Sequence, residues 1–168
     1  LRTGKRVRSE TSIAHKSASL SSLAIDIMLQ TKKPIKDLPI LIVGTGKMCN
    51  LAGEYFVKMG YESIIFFSDD PDKREALKLK YKALVLPISA LPERTRENNI
   101  IFSAVSPDTT RISMESLGEN WDTFSIIDLS VPKYICRSDS DTSNAYLLDM
   151  EGIRHIAPDY LPDLQPEI

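Results

Sequence analysis

The chain has 168 residues, 42% of them hydrophobic and 26% charged, with a formal net charge of -2. That balance suits one globular, soluble domain with a sizeable core and excludes a surface dominated by the basic footprint of a nucleic-acid binder. No apolar run reaches the roughly 18 residues of a membrane span, no signal peptide is visible, and Cys49 and Cys136 show neither metal-ligand nor redox spacing, so a cytoplasmic protein without membrane contact or metal is expected.

Leu1 to Glu10 is polar and basic, with Lys5, Arg6 and Arg8 close together. Ser17 to Gln30 sets Leu20, Leu23, Ala24, Ile27 and Met28 at helical spacing, and Ser17 or Ser19 can cap that helix. Lys32 to Pro39, with two prolines, leads to a first strand, Ile40 to Val43. A Gly44-Thr45-Gly46 turn follows, then a helix whose apolar face is Met48, Leu51, Ala52, Tyr55, Phe56 and Met59, with Gly60 as its left-handed C-cap. Ser63 to Phe67 reads as a second buried strand. Pro71 suits the first turn of a helix over Asp72 to Tyr81 that Asp69 or Asp70 caps.

Ala83 to Leu86 reads as a third strand, Leu91 to Glu97 as a short helix and Asn99 to Val105 as a fourth strand, closed by a Ser106-Pro107-Asp108 turn. Ser113 to Leu117 is a helical turn, Phe124 to Leu129 a fifth strand, Arg137 to Asn144 a polar loop and Ala145 to Leu148 a sixth strand. Continuous rather than alternating apolar runs indicate strands buried on both faces, hence a parallel sheet. The expected fold is α/β: a Rossmann-like doubly wound parallel sheet, ordered 3-2-1-4-5-6, with helices on both faces and an extra N-terminal helix. The expected organisation is a linker segment with the N-terminal helix over 1–33, a dinucleotide-binding domain over 34–155 and a C-terminal tail over 156–168.

In this fold ligands sit at the carboxyl ends of the strands where strand order reverses. A strand, a Gly-x-Gly turn and a helix are what a dinucleotide pyrophosphate needs. Gly44 gives the tight turn, Gly46 a close approach, and the helix amides an anion site. Candidate cofactor contacts are therefore Gly44, Thr45, Gly46, Lys47, Met48 and Cys49, the last in place of the motif's third glycine. Ser68, Asp69 and Asp70 follow the second strand, where a carboxylate either binds an adenosine ribose or caps the next helix. Lys73 and Arg74 could meet a 2′-phosphate or be solvated charges. Ser103 to Ser106 presents small residues, Ser106 among them, to the cofactor's middle. Asp128 to Pro132 would border the nicotinamide. His15 and His155 have no recognisable catalytic pairing. Cys49 at a helix N-terminus has a position that lowers a thiol pKa, although packing against the sheet is the other role open to it.

Several segments resemble a family. Gly4-Lys5-Arg6-Val7-Arg8-Ser9-Glu10-Thr11 and the serine-rich Ser17 to Ala24 stretch resemble the junction of glutamyl-tRNA reductases, which reads close to GKRVRTET before a serine- and alanine-rich helix. Ile42 to Met48 is similar to that family's IGAGKM turn, Ile127 to Lys133 to its IDIAVPR, and Tyr146 to Met150 to its YDVD. The resemblance implies the cofactor domain of an NADPH-dependent oxidoreductase, which reduces glutamyl-tRNA to glutamate-1-semialdehyde, the precursor of 5-aminolevulinate in tetrapyrrole (porphyrin) biosynthesis. It implies a cysteine nucleophile in a catalytic domain outside this chain, which forms a thioester that takes the hydride. No catalytic residue would then lie here, and this fragment would be inactive alone. It also implies glutamyl-tRNA bound through other domains, a homodimer and a partner aminomutase. Ser68-Asp69-Asp70 stands where many members have Asn-Arg-Thr, which leaves NAD beside NADP, and Pro158, Pro162 and Pro166 interrupt the tail. A shikimate dehydrogenase-like cofactor domain and a non-catalytic nucleotide-sensing domain are the alternatives.

Overall fold

Branched and aromatic residues in short unbroken runs pair side by side, because a strand flanked by neighbours and covered on both faces has no polar face to present. A computed structural model of the chain describes residues 20–32, 36–141 and 143–158. The GKRVRSET stretch, His15, the Ser17 and Ser19 capping positions and the tail beyond 158 lie outside the described residues. In chain order the elements are α1 (residues 20–31), β1 (Ile40–Val43), α2 (Lys47–Lys58), β2 (Ile64–Phe67), α3 (Pro71–Tyr81), β3 (Leu84–Leu86), α4 (Leu91–Arg94) and β4 (Ile100–Ser103). Then come β5 (Ile112–Ser113), β6 (Ser125–Asp128), β7 (Ile135–Cys136), β8 (Tyr146–Asp149) and α5 (Met150–Ile156), with 3₁₀ turns at Ile88–Ala90, Met114–Leu117 and Trp121–Thr123.

Six strands form one parallel sheet in the order β3-β2-β1-β4-β6-β8, which is the expected 3-2-1-4-5-6 when only its strands are counted. The register is flush: Ile40 pairs with both Ile64 and Ile100, and Ser103, Asp128 and Asp149 stand level at the ends of three adjacent strands. β5 and β7 form a separate two-stranded parallel ribbon that the sequence reading did not anticipate. The helix α5 was likewise not foreseen. Asp149 ends β8 and caps α5, accepting from the Gly152 N–H at 2.8 Å.

The two faces are covered unequally. On one, Ile40, Ile42, Phe66, Phe102 and Ile127 meet Leu20, Ala24, Ile25 and Met28 of α1, Ala52 and Phe56 of α2, Leu77 of α3 and Ile153 of α5. On the other, Leu41, Val43, Phe67, Ile101 and Ile126 are covered by Leu91 of α4, the short turns with Met114 and Leu117, and Tyr134 and Ile135. The N-terminal helix is thus part of the main core. Ser21 Oγ donates to the Met48 carbonyl at 3.3 Å, and Tyr55 Oη of α2 donates to Asp26 of α1.

Candidate functional site

The strands' carboxyl ends open onto a cleft of about 1040 Å³. That is the upper end of the size range of small-molecule sites and suits an extended ligand. Four loops line it. They are the turn after β1 (Gly44 to Met48), the one after β2 (Ser68, Asp69, Asp70), the one after β4 (Ala104 to Ser106, Asp108 to Thr110) and the one after β6 (Leu129 to Val131) with Tyr134. A smaller cavity of about 510 Å³, walled by Glu115, Glu119, Asp122 and Asp141, is acidic and would repel a phosphorylated ligand.

The glycine turn is held from several sides. Gly44 has φ +120, and a Cβ there would lie 2.5 Å from the Ala104 carbonyl oxygen and 2.9 Å from Cys49 Sγ. A Cβ on Gly46 meets nothing within 4 Å, so the space above it belongs to the cleft. Asn50 was not singled out in the sequence, yet its side-chain amide donates to the carbonyls of Thr45 and Gly46 at 3.0 and 2.8 Å and fixes the turn. Gly46 is the N-cap of α2 and has no side-chain cap, the first turn holds no acid, and Lys47 stands there instead. The amides of Lys47 and Met48 are therefore free of intrahelical partners at the positive end of a twelve-residue helix, on the cleft wall.

Cys49 does not line the cleft. It is fully buried, with Sγ 3.5 Å from the carbonyl oxygens of Val43 and Ala104. Burial pushes its thiol up to about 12, outweighing the backbone hydrogen bonds, so the depressed thiol pKa that a helix N-terminus suggests does not occur. The close helix–sheet contact that a third glycine normally permits falls one turn later, at Gly53, where a Cβ would be 3.1 Å from Phe66 and 3.6 Å from Ile42.

At the second strand's end the two acids separate. Asp70 caps α3, accepting from the N–H groups of Asp72 and Lys73 at 3.0 and 3.2 Å. Asp69 accepts from the Ile88 N–H at 3.0 Å and stays on the cleft wall. Ser68 Oγ accepts from the Asp70 N–H, and the Arg74 guanidinium turns back to the Ser68 carbonyl at 2.9 Å. Lys73 lines the cleft. Ser106 also lines it; its hydroxyl donates to Asp108, and this bond with the nearby Lys73 charge helps hold that carboxyl below the usual range.

The residue the sequence reading undervalued is Asp128. It is 1% exposed, and each oxygen accepts twice. Oδ1 takes the Ser103 hydroxyl and the Ser130 N–H (2.9 and 3.1 Å), and Oδ2 takes the N–H groups of Tyr134 and Ile135 (2.9 and 3.0 Å). Ser130 Oγ in turn accepts from the Val105 N–H at 3.0 Å, so the loops after β4 and β6 are one unit. An acid closing an otherwise apolar strand was the available signal, since a buried carboxylate needs several donors. Tyr134 is nearly buried beside the cleft, and burial together with the charges of Asp69 and Asp128 pushes its hydroxyl up to about 12.

Among the described residues no group of three or more His, Cys, Asp or Glu could hold a metal ion, and no helix is long and apolar enough to cross a membrane. The family described as Shikimate / quinate 5-dehydrogenase matches residues 26–156. A glutamyl-tRNA reductase of Magnetococcus marinus is 28% identical over 96% of this chain and 39% of its own length. Glutamyl-tRNA reductase 2 of Koribacter versatilis is 26% identical over 97% of this chain and 38% of its own length. The chain therefore spans about two fifths of the curated relatives it matches. In fold it matches the nucleotide binding domain of a Thermoplasma volcanium glutamyl-tRNA reductase, at a TM-score of 0.58 and 22% identity over 84% of this chain and 92% of that one. The GKRVRSET, glycine-turn and IDLSVPK resemblance thus leads to relatives that are reductases, and the chain belongs to the Shikimate / quinate 5-dehydrogenase family, with glutamyl-tRNA reductases as its relatives.

Proposed function

We propose that this chain is the nicotinamide-dinucleotide-binding part of a cytoplasmic glutamyl-tRNA reductase, serving the reduction of glutamyl-tRNA to glutamate-1-semialdehyde in 5-aminolevulinate synthesis. The observation that carries the reading is the uncapped N-terminus of α2, which opens with Lys47 onto the cleft beneath a glycine turn. Gly44, Thr45, Gly46, Lys47 and Met48 hold the pyrophosphate. Asp69, with Ser68 and Asp70 behind it, faces the adenosine ribose, and Ser106 faces the middle of the cofactor. Cys49 supports the turn from below. NADPH is the cofactor that the family resemblance implies, with NADH the alternative; when bound, either supplies a hydride.

The chain's own residues bind and orient. The Asp128-tied loops, with Leu129, Val131, Ile112 and Tyr134, give the end of the cleft beyond Ser106 an apolar wall for the reacting face. On the family resemblance the nucleophilic thiol belongs to a catalytic domain outside this chain; Cys49 itself is sealed in the core. Glutamyl-tRNA, a second copy of the whole protein and an aminomutase that takes the aldehyde are the partners on this reading. Calorimetric titration with NADPH and NADH tests it. Micromolar binding of at least one is expected, and binding of neither below millimolar overturns the cofactor assignment.

A further inference from the structure

Two helix N-termini reach the same cleft, and they are built in opposite ways. That of α2 is uncapped and carries Lys47, whereas that of α3 is already filled by the Asp70 carboxylate and has Asp72 in its first turn. The α3 amides that could receive a 2′-phosphate are spent on Asp70. Arg74, a guanidinium that could grip one, is bonded to the Ser68 carbonyl. Asp69 has its Oδ1 pinned by the Ile88 N–H, and its Oδ2 has no hydrogen-bond partner among the described residues. Asp69, Asp70 and Asp108 give this corner three carboxylates against Lys73 and the Arg74 charge held behind Ser68.

Resting on the cofactor reading above, we infer that Asp69 makes the cleft selective for a dinucleotide with a free ribose 2′-hydroxyl, NADH, against the 2′-phosphorylated NADPH. A hydroxyl donates to Asp69 Oδ2. A phosphomonoester carries about -1.5 to -2 charges at neutral pH, donates nothing useful there and meets like charge. This departs from what the family resemblance alone implies.

The test is titration of the natural chain and of Asp69→Asn and Asp69→Arg with NADH and NADPH, at low and high salt. The natural chain binds NADH at least about tenfold more tightly, a gap of about 1.4 kcal/mol. Asp69→Asn keeps an oxygen for the Ile88 N–H and loses the charge, so the ratio falls several-fold. Asp69→Arg brings it to or past parity. The discrimination narrows with salt, because like-charge repulsion on an exposed wall is screened. Equal or tighter NADPH binding by the natural chain overturns the inference and leaves the cofactor reading standing, as does a ratio unmoved by either variant. Binding of neither cofactor overturns the reading beneath both.

Discussion

Gly44 and Gly46 share a motif and differ in what a side chain would meet. At Gly44 an added methyl strikes the Ala104 carbonyl and the Cys49 sulfur at a positive φ, so Gly44→Ala should lose about 1–3 kcal/mol of stability and bind dinucleotide poorly. Gly46→Val should cost about 1 kcal/mol through the weaker cap and yet abolish binding, because its side chain enters open cleft. Chemical denaturation paired with titration separates the two, and retained binding by Gly46→Val contradicts the site. Cys49 gives a second check. With Cys49 buried and its thiol pushed up to about 12, a thiol reagent should label one cysteine of the native protein, the partly exposed Cys136, and two once it is unfolded. The fold favours the protonated thiol, so its advantage is full below about pH 9 and fades as pH rises toward 12. The stability gap between the natural chain and Cys49→Ala should narrow over that window.

Among the elements, the loop after β6 depends on one carboxylate. Asp128→Asn keeps the shape but turns an NH₂ group toward backbone N–H donors. It should therefore cost about 1–3 kcal/mol and weaken cofactor binding, since Leu129, Ser130 and Val131 line the cleft. Unchanged affinity would mean that the loops hold without it. Runs such as Ile40 to Val43 and Ile100 to Ser103 announce their strands because burial on both faces leaves no polar alternation to confuse. The β5–β7 ribbon could not be read the same way. Each strand is two residues long, and Ile112 and Ile135 are brought together by tertiary packing that periodicity does not encode. Helix α5 was hidden for a related reason: seven residues with a glycine in the first turn carry little propensity, and its stability comes from Asp149 and from Ile153 in the core.

For the molecule as a whole, α1 belongs to the fold it precedes. Met28, fully buried in the main core, should cost about 2–5 kcal/mol when truncated to Ala, measurable as a shift in denaturation midpoint. A cost below 1 kcal/mol would mean that the helix is only loosely docked. Spacing of Leu20, Ala24 and Met28 revealed this helix, but not that Ser21 bonds the Met48 carbonyl at the cleft wall. The cleft itself was readable only as separate loops. The Gly-x-Gly turn and the acids after β2 were visible as motifs, whereas Asn50, Asp128 and Tyr134 matter through contacts across the chain. The ion pair from Lys133 to Asp149 extends the same unit, joining the loop after β6 to the start of α5. Burial opposes ionisation of Asp149, but the Gly152 N–H and Lys133 hold its carboxyl below the usual range.

One atom props the start of α2 against the sheet from beneath. The Cys49 sulfur rests against carbonyls at the ends of β1 and β4, the two neighbours between which strand order reverses. It is a spacer between helix and sheet, for the strand ends are already hydrogen-bonded to each other: a smaller residue leaves a void beneath the turn, and a larger one pushes the start of α2 away from them. Tolerance at the third motif position is therefore a matter of volume at the seam between α2 and the sheet, with the close approach taken over by Gly53.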